Sequence, residues 1–315
     1  MCIQVRAAYQ TSSCYTLDSR FRGNDGILLF GESLALIFTS PLGMVSAMEK
    51  MVWKFRSKTL PLDRPVWMGI VNVTPDSFSD GGQFFEPSQA VAHALRLIEH
   101  GAGIIDIGGE STRPGAGSIT AEEELRRIVT VLRQLRACQP DIPISVDTAK
   151  ACVAREVLES GADIINDISG LSDSEMVHVL QKTAAGYCLM HTQGVPKTMQ
   201  ESPHYEDVVA EVFAFLKERR NILIDSGISP AVIVVDPGLG FGKTSAHNWQ
   251  LIENITRFHR LEAPILVGHS RKRFIAERFA DREEGTQIVS QELIESGVHI
   301  LRVHTIPETI LDSKK

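Results

Sequence analysis

The stretch VWMGIVNVTPDSFSDGG, residues 66–82, begins as an apolar run and ends as a polar loop. Its first half is too short for a buried helix and lacks polar alternation, so it reads as a strand covered on both faces. Its second half separates two folds. An open doubly wound sheet usually has a glycine-rich turn after its first strand, whereas here Asn72 is followed by Val-Thr-Pro-Asp. Similar apolar runs return as GIIDIG (103–108), PISVDT (143–148), DIINDIS (163–169), GYCLMH (186–191), VIVVDPG (232–238), PILVGHS (264–270) and HILRVH (299–304). Amphipathic stretches lie between them. SQAVAHALRLIEHG closes on Gly101, TAEEELRRIVTVLRQL opens with Thr120 and Glu123 in a capping-box pattern, and YEDVVAEVFAFLKERRNILIDSG closes on Gly227. Eight strands, each followed by a helix or connector, predict an α/β chain folded as a single-domain (β/α)8 TIM barrel.

Composition sets outer bounds. With 315 residues, 43% of them hydrophobic, the chain can bury a barrel-sized core. A net charge of −7 offers no basic field to nucleic acid, so an anionic substrate needs a local basic pocket. The five cysteines, Cys2, Cys14, Cys138, Cys152 and Cys188, contain no Cys-x-x-Cys pair. They support neither a disulfide framework nor a zinc knuckle, and point to a reducing, cytoplasmic setting. In residues 1–50, ILLFGESLALIFTSPLGMV (27–45) is apolar, but Glu32 and Pro41 keep it short of the roughly 20 residues of a membrane span. The expectation is a poorly packed or adventitious extension over 1–50 and a barrel domain over 51–315, with Met48 or Met51 a sensible start. Neither membrane nor nucleic acid is an expected partner.

A barrel of this kind places its chemistry at the C-terminal ends of its strands. Polar residues stand at or near those ends: Asn72, Asp106, Asp147, Asn166 and Asp167, His191, Asp236, Ser270 with Lys272 beyond it, then Arg302 and His304. Two apparent motifs dissolve on inspection. VDPGLGFGKT (235–244) ends like a phosphate loop, but the first required glycine is Pro237. Its glycines instead let Phe241 and the backbone approach a flat ligand, and Lys243 has no assigned role. VGHSRK resembles a nucleophile elbow with Lys272 in place of the last glycine. Residues Ser270, Arg271, Lys272 and Arg273 read better as an anion-binding helix start. Asp147, Asn166, Asp236 and Lys272 suit a planar heterocycle, because a carboxylate such as Asp236 can accept two parallel bonds from an amino group and a ring N–H. Arg302, His304 and Asn72 suit a phosphorylated group, and Asn72 with a pyrophosphate could hold Mg2+. The residues alone therefore describe a barrel enzyme acting on a phosphorylated heterocycle.

Taken together, MGIVNVTPDSFSDGG, IIDIGGESTRPGA, ISVDT, IINDISG, LMHTQGVPKTMQ, VDPGLGFGKT, VGHSRKRFI and ILRVH resemble dihydropteroate synthase, in order, over about residues 65–304. The resemblance implies condensation of 6-hydroxymethyl-7,8-dihydropterin diphosphate with 4-aminobenzoate. It puts the pterin against Asp147, Asn166, Asp236 and Lys272, with Asp106, Met190 and Phe241 also binding substrate. It puts the diphosphate at Asn72, Arg302 and His304, with Mg2+ near Asn72. Aminobenzoate packs near Phe78, Thr112, Arg113 and Pro114, its carboxylate facing the helix start around Ser270. Asp76 arrives with the first loop, so Asp76, Lys272, Arg302 and His304 form the implied catalytic set. The loops after the first two strands close over the site, sulfonamides compete with aminobenzoate, and a homodimer forms through the late helices. The family continues after Arg-Val-His with Asp and a full helix, whereas this chain has Thr305 and a short tail. A pterin-binding methyltransferase domain and a catalytically silent pterin-binding paralogue are the rival readings. The first would lack the TPDSFSDGG loop and the Ser-Arg-Lys helix start.

Overall fold

The computed structural model describes residues 51–74, 86–111, 115–195 and 197–307. Expectations for residues 1–50, for Asp76, Phe78, Thr112, Arg113 and Pro114, and for the tail from residue 308 onward lie outside the described residues. Eight parallel strands form the predicted barrel: β3 (Val66–Asn72), β4 (Ile104–Gly108), β5 (Ile144–Asp147), β6 (Ile164–Asp167), β7 (Gly186–Met190), β8 (Ile233–Asp236), β9 (Leu266–Val267) and β10 (Ile300–Val303). Their order is β8-β7-β6-β5-β4-β3-β10-β9. A parallel bridge between Val235 and Ile265, with Val235 N–H donating to the Pro264 carbonyl at 2.9 Å, closes β8 onto the β9 segment.

Helices fill the connections: α1 (Pro87–Glu99), α2 (Ala121–Cys138), α3 (Ala151–Glu159), α4 (Glu175–Thr183), α5 (Val208–Asp225), α6 (Ser245–Glu253), α7 (Arg273–Arg278) and α8 (Arg282–Glu295). The expected stop at Gly101 is there. Gly101 takes φ +98°, its N–H donates to Ile98 O, and the next N–H, of Ala102, reaches Leu97 O. That pair of bonds is the Schellman ending, which a residue with a β-carbon adopts less readily. The expected capping box at α2 is half formed. Thr120 Oγ1 accepts from Glu123 N–H, but the Glu123 carboxylate turns outward to Arg126 and Arg127. Two guanidinium partners win over a single backbone N–H.

Two cores result from the two-residue period of the strands. Outward side chains such as Trp67, Val71, Ile105, Ile107 and Val235 pack against the helices. Inward ones, among them Met68, Ile104, Ile164, Cys188, Val234, Leu266 and Ile300, fill the barrel. A hairpin not foreseen from the sequence, β1 (Val52–Phe55) paired antiparallel with β2 (Lys58–Pro61), adds Trp53 and Phe55 to that inner core. It sits at the N-terminal ends of the strands: Trp53 Nε1 donates to Val232 O just before β8, and Lys58 pairs with Asp163 just before β6.

Candidate active site

The same two-residue period sorts the polar strand ends. On β3, Met68 belongs to the inner core, while Ile70 and Asn72 above it reach a cavity of about 840 Å³ at the C-terminal end of the barrel. On β10, Ile300 is inside, so Arg302 is too, and Arg302 and His304 both line the cavity. On β6, Ile164 and Asn166 face in and Asp167 faces out. Asp167 accepts from Tyr187 OH at 2.5 Å, from Ser169 and from the Leu171 N–H, and belongs to the outer packing rather than to the site. Asp106, two residues short of the end of β4, faces the barrel interior with Asn166.

A charge network links these inward groups. Arg302 donates through Nε to Asp106 Oδ2 at 2.6 Å and through one terminal nitrogen to Asp147 Oδ2 at 2.8 Å. Asn166 Nδ2 donates to the same Asp106 oxygen at 3.2 Å. The other Asp106 oxygen is buried without a hydrogen-bond partner among the described residues. Burial opposes the charge on Arg302, but the two carboxylates outweigh it and raise its pKa. Burial pushes the Asp147 carboxyl up to about 7; Arg302 opposes this, and the carboxylates of Asp106, Glu124 and Asp167 add to it. Lys272 is pulled down to about 8 by burial, against the attraction of Asp236. Burial raises the Asp236 pKa, while Lys272 and the Gly238 N–H favour its charged form and oppose the rise.

The loop after β8 forms one wall. Gly238 N–H donates to Asp236 Oδ1 at 2.7 Å, fixing that carboxylate. Lys272 reaches across to the Leu239 carbonyl and stands 4.7 Å from the centre of the Phe241 ring, a cation–π distance. Positive φ at Gly238, Gly240 and Gly242 lets the chain turn where a β-carbon at Gly238 or Gly242 would strike the carbonyls of His191 and Gln193. The glycines therefore serve close approach of two loops rather than a phosphate cradle.

The helix start at residues 270–273 differs from its expected form. Helix α7 begins only at Arg273, and Lys272 occupies its N-cap without a side-chain cap. Ser270 Oγ meets His304, accepting from its backbone N–H at 3.2 Å and lying 3.0 Å from Nδ1. Arg271 and Arg273 also border the cavity, but their guanidiniums are engaged, Arg271 with Glu283 and Thr305 and Arg273 with Glu277. Of the expected site residues, Asn72, Phe241, Ser270, Lys272, Arg302 and His304 line the cavity. Asp106, Asp147, Asn166, Met190 and Asp236 are buried, and Arg302 and Lys272 connect their charges to it. Lys243, which the sequence left without a role, lies buried in the same wall. Its only sequence signal was a lysine following the glycine run.

Residues 68–304 match the family of pterin binding enzymes. Dihydropteroate synthase of Escherichia coli (strain K12) is 44% identical over 256 residues, covering 80% of this chain and 90% of the relative. Crystallised Yersinia pestis dihydropteroate synthase, in a complex with a sulfonamide drug, superposes with a TM-score of 0.77 at 42% identity, over 83% of this chain and 96% of the other. The Xanthomonas albilineans enzyme with 4-aminobenzoic acid gives 0.75 at 44% identity, over 81% and 92%. The barrel is thus shared with these enzymes across most of its length, and the chain belongs to the dihydropteroate synthase family of pterin binding enzymes.

Proposed function

We propose that this chain condenses 6-hydroxymethyl-7,8-dihydropterin diphosphate with 4-aminobenzoate, releasing diphosphate and 7,8-dihydropteroate. The observation that carries the reading is the gathering of inward, buried Asp147, Asn166 and Asp236 behind Lys272 and Arg302, which line a single cavity. Asp236, its carboxylate already oriented by Gly238, accepts from the amino group and adjacent ring N–H of the pterin. Asn166 and Asp147 complete the ring's edge, and Phe241 with Lys272 covers its face. The bond from the pterin methylene to the diphosphate oxygen breaks, and the electron pair leaves with the diphosphate. Arg302 and His304 hold that charge in place. The aniline nitrogen then bonds to the methylene and loses a proton.

Magnesium fits the donor set in a restricted way. Asn72 supplies one hard amide oxygen at the cavity, and no cluster of three His, Cys, Asp or Glu suited to a metal occurs among the described residues. One protein oxygen suits an ion that takes its other ligands from diphosphate and water. When bound there, Mg2+ would neutralise part of the leaving group's charge. The same reading carries a cytoplasmic homodimer, and no helix among the described residues is long and apolar enough to cross a membrane.

The test is release of diphosphate by the purified full chain. Release should require 4-aminobenzoate and Mg2+, and a sulfonamide should inhibit it competitively against 4-aminobenzoate. Diphosphate release indifferent to 4-aminobenzoate would remove the reading.

A further inference from the structure

Lys243 is only 3% exposed, although it follows the glycine run 238–242. Its Nζ lies 2.9 Å from His191 Nδ1 and donates to the Gly238 carbonyl at 2.9 Å and the Phe241 carbonyl at 3.0 Å, with a longer approach of 3.5 Å to the His191 carbonyl; burial lowers its pKa well below the ordinary lysine value, against the attraction of Asp236. An ammonium has three N–H donors. Three short contacts saturate Nζ in either protonation state, so Lys243 offers nothing to an anion in the cavity it borders. Burial lowers the His191 pKa to about 2, and Lys243 pushes the same way, which leaves a neutral ring whose Nδ1 can accept.

We propose that Lys243 is a positioning residue: it clamps the loop between β8 and α6 so that Asp236 and Phe241 hold the geometry the heterocycle needs. The proposal rests on the pterin reading given above. Carbonyls 238 to 242 all accept from side chains. Gly238 and Phe241 accept from Lys243, Leu239 from Lys272, Gly240 from Gln200 Nε2 at 2.5 Å, and Gly242 from Tyr205 OH at 2.9 Å. Lys243 is the one donor among these that ties two points of the loop to each other. Those points matter for the site. Gly238 carries the N–H that orients the Asp236 carboxylate, and Phe241 carries the ring beneath the Lys272 ammonium. The third bond, to His191, fastens the loop to the end of β7, where the His191 ring is wedged edge-on against Phe215 at 4.8 Å. Glycine is needed at 238 and 242 because this fastening brings the two loops into backbone contact.

Lys243→Met keeps the aliphatic stem and removes the clamp. The full-length variant is compared with wild type for KM of each substrate, for kcat, and for hydrogen exchange at Gly238 and Gly240. The expected result is a rise in KM for the pterin diphosphate of about tenfold or more, with KM for 4-aminobenzoate changed less than about threefold. Exchange at Gly238 and Gly240 should accelerate. Tyr205→Phe, which removes a bond to the same loop without touching the Asp236 anchor, is the stability control. A purely structural lysine would move both KM values together, as that control would at an equal loss of Tm, and this outcome overturns the proposal. If Lys243→Met does not fold, His191→Leu removes one of the three acceptors instead. A rise in pterin KM of about threefold is then expected, and no rise overturns it. Wild type without turnover would refute the functional reading alone, whereas unchanged exchange in Lys243→Met would refute the clamp whatever the turnover.

Discussion

Asn166 and Asp167 are neighbours with opposite fates. Both looked like site residues in the sequence, where both end the same strand. The pleat sends Asn166 inward to Asp106 and Asp167 outward to Tyr187. The pattern was legible once Ile164 was known to face the barrel, but nothing in DIINDIS says which apolar residue faces inward. The Arg302 contacts were illegible for a different reason. Its partners Asp106 and Asp147 lie 196 and 155 residues away in the chain, so only the closed barrel brings them together. The burial of Asp147, which outweighs its pairing with Arg302, creates a testable pH dependence. Asp147 has its pKa raised from 3.8 to about 7, first by burial. A carboxyl with a raised folded-state pKa stabilises the fold while protonated. That contribution is full below about 4 and is lost as pH climbs through about 7. Asp147→Asn cannot ionise and escapes the loss. The Tm of Asp147→Asn relative to wild type should therefore shift upward between pH 4 and pH 7 and level off above. A relative Tm that falls over that window would mean Arg302 holds Asp147 below its ordinary range.

At the scale of elements, the strands and helices were legible because each apolar run and each cap is local. Gly101, Gly227 and Thr120 mark ends that the structure keeps. The β1–β2 hairpin was not legible, because its turn breaks local rules. A tight hairpin turn favours Asn-Gly or Gly at positive φ, yet Arg56 sits there at φ +52°. Tertiary bonds compensate. The Arg56 guanidinium donates to Leu158 O at 3.0 Å and Ala162 O at 2.8 Å, and its backbone N–H donates to Ala184 O. The hairpin seals the end of the barrel opposite the cavity. Trp53 is fully buried, packs edge-on against Phe55 at 5.4 Å and bonds to Val232 O. Trp53→Ala should cost about 3–5 kcal/mol of stability, read by denaturant unfolding. KM for both substrates, measured well below the variant's Tm, should stay at wild-type values. An altered KM would show that the two ends of the barrel are coupled, contrary to the usual division of stability and function in this fold.

For the molecule as a whole, that division locates where the functional unit begins, and we propose residues 51–315. The hairpin starts at Val52, and its bonds run to Val232, Leu158, Ala162 and Asp163, all within the barrel. The first residue described, Met51, accepts from the Leu62 N–H at 2.9 Å and packs against the inner core. Among the described residues, the contacts of the barrel floor begin at Met51. A chain beginning at Met48 keeps the full set, and its Tm, kcat and both KM values should match those of the 315-residue protein. A chain beginning at Asp63 loses Trp53, Phe55 and Leu62 together, three large residues at 0–1% exposure. Deleting even one such side chain costs several kcal/mol, against a typical total stability of about 5–15 kcal/mol, so this shorter chain should not accumulate as folded protein. Loss of activity on removing residues 1–47 alone would instead place part of the functional unit in that segment.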